Sequence, residues 1–117
     1  MRTGLGGVVL VALGLGCGRA EPGGPLRLET IRAGDDTRIN VVTSPGYKLN
    51  ARLKPALELP GGRVIRFDSP YLTPDSSYFT QPPSAIISRH DRTAGSRLRA
   101  SLCDPGETVC RTVTLDL

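Results

Sequence analysis

Two cysteines, Cys103 and Cys110, carry the chemistry most readily seen in this chain of 117 residues. They frame the turn Asp104-Pro105-Gly106-Glu107-Thr108-Val109, between the β-type runs Arg97 to Leu102 and Arg111 to Leu115. Pro presets φ, Gly accepts positive φ, and an Asp side chain can cap turn backbone, so Asp-Pro-Gly marks a tight reversal. The two thiols then face each other at the ends of a hairpin, where a disulfide closes without dragging the backbone. Such a pair is a staple, worth ~2–3 kcal/mol even for a short loop, or a centre for thiol–disulfide exchange. Two unpaired thiols are the third option. Exchange needs an attacking thiolate, an accessible sulfur and a leaving group of suitable pKa. Arg111, beside Cys110, favours the thiolate, while Asp104 and Glu107 in the turn oppose it.

Other chemistry has little to stand on. His90 is the single histidine and sits in the polar turn Ser88-Arg89-His90-Asp91-Arg92, where it reads as a solvated loop residue rather than a base. Zinc asks for four protein ligands, or three and a water, and two cysteines with one histidine fall short. Asp35, Asp36 and Asp68 sit in turns, where carboxylates usually cap backbone amides. Gly61-Gly62 reads as a hairpin turn rather than a phosphate loop. No metal and no cofactor is therefore expected. The net charge of +4 is mild and the arginines are scattered among acids. Nucleic-acid binding would want a clustered basic face or a recognised motif, so no nucleic-acid partner is expected.

The N-terminus speaks of export. Met1-Arg2 is a positive start, followed by an apolar stretch from Leu5 to Gly16 that is too short and glycine-rich for a span of ~20 apolar residues. It reads as a signal-peptide core. Leu13-Gly14-Leu15-Gly16-Cys17 resembles a lipoprotein-type signal, with residues 1–17 ending in cleavage before Cys17 and acylation of that cysteine. Cleavage after Ala20, giving a freely secreted protein, is the rival. Either route leaves Cys103 and Cys110 as an even pair in an oxidising compartment. The location expected is the periplasm or cell envelope, lipid-anchored through Cys17.

Residues 18–25 are Gly/Pro-rich and read as a flexible tether. Residues 26–117 are enough for one domain with a modest core. Residues 18–117, the chain without the leader, carry +3, from 14 basic and 11 acidic residues. The pattern there is all-β. Leu26 to Ile31, Arg38 to Thr43, Tyr47 to Leu53, Pro55 to Leu59, Arg63 to Phe67, Ala85 to Arg89 and the two cysteine-flanking runs each read as a short strand. Asp68 to Ser84, rich in Pro and Ser, reads as a long loop. Seven or so strands with frequent turn signals and no helical period point to a β-sandwich.

Two segments carry a family resemblance. Thr43-Ser44-Pro45-Gly46-Tyr47-Lys48-Leu49-Asn50-Ala51 resembles a segment of the DsbD N-terminal domain family, the periplasmic immunoglobulin-like domain of thiol–disulfide interchange proteins. The ending is similar too: a hairpin strand, Cys103, a polar turn, Cys110, then Thr112-Val113-Thr114-Leu115-Asp116-Leu117. The resemblance implies an immunoglobulin-like sandwich in which Cys103 and Cys110 form a reversible, catalytic disulfide. It implies a thioredoxin-like or membrane electron donor, oxidised envelope proteins as acceptors, and Cys110 as the sulfur attacked first. It also implies an aromatic cap over the disulfide, for which Tyr71, Tyr78 and Phe79 in the long loop are the candidates. The alternative is a non-catalytic β-sandwich lipoprotein, stapled by its disulfide, that binds a protein or envelope component.

Overall fold

The computed structural model describes residues 24–88 and 90–117. The expected signal peptide with both expected cleavage sites, Cys17, and residues 18–23 of the expected tether lie outside the described residues. The described part is strand and turn throughout, with no helix among those residues. Eight strands follow in order: β1 Leu26–Ala33, β2 Asp36–Thr43, β3 Lys48–Leu49, β4 Ala56–Glu58, β5 Val64–Arg66, β6 Ser84–Ser88, β7 Arg97–Cys103 and β8 Cys110–Asp116. They form two antiparallel sheets.

The first sheet has three strands in the order β1-β2-β6. β1 and β2 are joined by the two-residue reversal Gly34-Asp35, with Gly34 at φ 68°. Glycine at the first central position matches the twist that a two-residue hairpin demands. Ile39 and Val41 alternate inward from the central strand with no exposed surface. β1 packs through Leu26 and Leu28 at its start, while Ile31 near its end is exposed.

The second sheet is built around β7. β8 pairs along its whole length on one side, from Arg97↔Asp116 to Cys103↔Cys110. β3 and β4 must therefore share the other side, β3 at the cysteine end and β4 at the Arg97 end. β5 pairs outward from β4. Leu98, Ala100 and Leu102 alternate inward, joined by Leu49, Leu57, Val113 and Leu115. These residues form one hydrophobic cluster with Leu26, Ile39, Val41 and Ile87 of the first sheet, and Phe67 is its largest fully buried side chain. The two sheets thus share a single core.

Two segments depart from the expected pattern. A strand running to Leu53 is expected from period-two alternation, yet β3 stops at Leu49 and Leu53 is 59 % exposed. The Asn50 side chain explains the break: its Oδ1 accepts the Arg52 amide at 2.9 Å, a local turn that competes with the ladder. The presumed long loop is also more ordered than its composition suggests. Residues 71–80 fold back as a small hairpin, with Leu72 bridged to Phe79, Thr73 N donating to Tyr78 O and Thr80 N to Tyr71 O. Its tip is held by Asp75, whose Oδ1 accepts from the Thr73 hydroxyl at 2.7 Å and the Ser77 amide at 3.1 Å. These hydrogen bonds, led by Thr73, hold the Asp75 carboxyl below its ordinary pKa. The hairpin docks on the second sheet through Tyr78↔Asn50, Phe79 N to Leu49 O, and Ala51 N to Ser77 O.

Candidate functional site

Cys103 and Cys110 are joined in a disulfide, with Cα atoms 4.0 Å apart, at the last rung of the β7–β8 ladder. The reversal that follows is Asp104-Pro105-Gly106-Glu107. Glu107 N donates to Asp104 O at 3.0 Å, and Gly106 takes φ 78°, as a turn with glycine at its third position requires. The Asp104 side chain does not cap this turn. It pairs with Arg111 instead, Oδ1 accepting from Nη2 at 3.0 Å and Oδ2 from Nε at 3.4 Å. Both groups are about half exposed, so the pair adds little stability. It does occupy the guanidinium expected to act on the Cys110 thiolate.

Residues directly opposite in an antiparallel ladder project to one face. Lys48, Cys103 and Cys110 are such a row, and Asn50, Ser101 and Thr112 flank it on the same face, opposite to the core. The Asn50 Nδ2 bond to Ser101 Oγ at 3.3 Å fixes that orientation. The disulfide therefore belongs to the outer surface of the second sheet. Its two residues are not equivalent: Cys103 has no exposed surface, whereas Cys110 is partly exposed.

Of the three aromatic candidates, the structure brings one to this face. Tyr78 sits opposite Asn50, and its ring holds the Lys48 ammonium 4.7 Å from its centroid, a cation–π contact. Lys48 is in turn the register partner of Cys103. Phe79 packs partly buried against the core, and Tyr71 is 62 % exposed, in a separate groove beside Arg38 and Asp68. Lys48 is the contributor that the sequence leaves unmarked. Its place opposite Cys103 follows only from the strand register.

The two segments that carried the resemblance meet in space. A Cβ added at Gly46 would stand 3.2 Å from Pro105 Cβ and Cγ, and Gly46 has φ 89°. The turn before β3 is thus packed on the cysteine turn and needs glycine for two reasons, space and backbone. Gly46→Ala is expected to cost about 1–3 kcal/mol, combining left-handed strain with the clash on Pro105. Chemical denaturation reads this directly, and a loss under ~0.3 kcal/mol would mean that the two turns do not constrain each other.

His90 is exposed, its amide donating to Ser88 Oγ at 3.2 Å. Asp68 pairs with Lys54 at 2.8 Å, which with the Ser69 amide holds its carboxyl below the ordinary range. Among the described residues no group of three metal-ligating side chains comes together. No protein-family model, curated protein or solved structure matches this chain.

Proposed function

We propose that this protein is a thiol–disulfide interchange module of the cell envelope, working through reversible opening of the Cys103–Cys110 disulfide. The observation that carries this reading is the asymmetry of the pair on the outer face of the second sheet, Cys103 buried and Cys110 partly exposed. Exchange requires a sulfur that a partner thiolate can approach in line with the S–S bond. A staple has no such need, and here the link closes a sequence separation of only 7 between strands already paired in register.

The steps follow from that asymmetry. A donor thiolate attacks Cys110 Sγ, forming a mixed disulfide as the Cys103 sulfur leaves as thiolate. A second donor thiol then displaces Cys110 Sγ, leaving the donor oxidised and the pair reduced by two electrons. In the forward half, the Cys110 thiolate attacks a client disulfide and expels one client sulfur. Cys103 then attacks Cys110 Sγ, re-forming the intramolecular bond and releasing the client as a dithiol. Burial holds Cys103 away from foreign disulfides, and its proximity makes the closing step intramolecular. Lys48, in register with Cys103, places a positive charge on this face, its ammonium over the Tyr78 ring.

The fold proposed is an immunoglobulin-like sandwich, supported by two antiparallel sheets around one core. The family proposed is the DsbD N-terminal domain family, supported by the contact between Gly46 and Pro105 that unites the two resembling motifs. The donor proposed is a thioredoxin-like or membrane protein, the clients oxidised envelope proteins, and the tether a lipid on Cys17. The competing reading is a non-catalytic envelope lipoprotein with a structural disulfide, which the complete burial of Cys103 favours. Capture of a mixed disulfide between single-cysteine variants and an oxidised client separates the two. A pair that never forms one under conditions where the protein stays folded is a staple.

A further inference from the structure

The outer face of the second sheet carries more than the disulfide. Next to Ser101 and Thr112 it sinks into a cleft of about 280 Å³. Ala56 and Ser101 lie at its base, exposed Leu53 lines it, and Lys54, Arg66 and Arg99 stand around it. The arginines flank it for a structural reason. Ala56 is the register partner of both Arg66 on β5 and Arg99 on β7, so all three project to one face with the small alanine between two guanidinium groups.

The charge in this cleft is only partly answered from within. Lys54 is bound to Asp68 at 2.8 Å, and Arg99 is 3.9 Å from Glu58 in a half-exposed pair. Arg66 has no carboxylate within ion-pair distance among the described residues. Two arginines across a shallow floor suit planar carboxylates, which they grip through paired N–H donors. Leu53, 59 % exposed, adds an apolar wall that a bare inorganic anion would not use. Three cations are too few for nucleic acid, which repays phosphate neutralisation over many contacts.

Distance ties the cleft to the disulfide. Arg99 and Cys103 are four residues apart on β7, about 13 Å at the rise of an extended strand. A peptide crossing this face spans that distance in roughly four extended residues.

Resting on the exchange reading above, we propose that this cleft recognises the client itself. It takes an acidic segment of the client polypeptide, Asp or Glu placed two to four residues from the client cysteine that meets Cys110.

The test uses two short peptides whose cysteine is a mixed disulfide with thionitrobenzoate. One carries Asp or Glu at those positions and the other the matching amides. Attack by the Cys110 thiolate of the reduced protein joins the peptide sulfur to Cys110 and releases coloured thionitrobenzoate, one S–S bond for another. The acidic peptide is expected to react about fivefold faster. That advantage should vanish in Arg66→Gln/Arg99→Gln and in high salt, while the amide peptide keeps its rate in both. Equal rates for the two peptides, or an advantage that survives the double variant, would overturn the proposal. So would competition by acetate as strong as that of the acidic peptide, since the cleft would then be a plain anion site. Failure of both peptides to react with folded, reduced protein would sink the exchange reading along with it.

Discussion

A Cys103→Ala variant is expected to accumulate a mixed disulfide with an oxidised client through Cys110, while Cys110→Ala accumulates on the order of tenfold less. The reason is reach. Cys110 is partly exposed on the outer face of the second sheet, and Cys103 is wholly buried beside it. Without Cys103 no thiol is placed to resolve the complex, so the client stays bound. Without Cys110 the remaining thiol has no surface from which to attack. Both variants lose the covalent link across a sequence separation of 7 and should give up about 2–3 kcal/mol, so the comparison is controlled for stability. Non-reducing electrophoresis after quenching with acid reads the complex. Equal trapping by the two variants would mean that the hairpin end opens enough to equalise the sulfurs. Dominant trapping through Cys103 would reverse the proposed order of attack.

The second large effect is thermodynamic. Phe67→Ala should destabilise the protein by about 3–5 kcal/mol. Phe67 is the bulkiest side chain with no exposed surface, and it lies in the cluster that both sheets share. Its amide donates to Pro55 O at 3.0 Å, which fixes the ring where β5 ends and the chain crosses toward the first sheet. A domain of this size holds only ~5–13 kcal/mol in total, so the variant should melt well over 10 °C lower, at roughly 4–8 °C per kcal/mol. A loss below ~1 kcal/mol would mean that the two sheets do not close on one core.

What the sequence disclosed of this fold follows the strength of local signals. Asp104-Pro105-Gly106 demanded a tight turn, and the turn set the register that joins Cys103 to Cys110. Gly61-Gly62 marked a real reversal, with Gly62 at positive φ, and the turn expected at Asp35-Asp36 falls one residue earlier, at Gly34-Asp35. The runs Arg38 to Thr43 and Arg97 to Leu102, read as strands, lie within β2 and β7. The signal failed where a side chain competes with the ladder. Asn50 turns the chain so that Leu53, apolar and in phase, faces solvent rather than the core. The hairpin of residues 71–80 was hidden because its closing contacts come from Thr73 and Asp75 side chains, which carry no periodic pattern.

The candidate site was legible in its cysteines and hardly at all in its surroundings. Lys48, Asn50 and Tyr78 lie 25 to 55 positions before Cys103, and only the pairing of β3 with β7 brings them alongside. Arg66 and Arg99 are likewise 33 positions apart, and share a face only because both pair with Ala56. Charges that act across strands are set by register, and register is not written in any one segment.

The reduction potential of the Cys103–Cys110 disulfide is the most direct measurement of whether this pair works or merely holds. The purified protein is equilibrated against glutathione or dithiothreitol buffers, and the thiol fraction is read by alkylation. An interchange module should give a value of about −180 to −270 mV, with the strands still paired when the thiols are free. A value below about −300 mV, or reduction only upon unfolding, would contradict the exchange function and leave a structural disulfide in a binding protein.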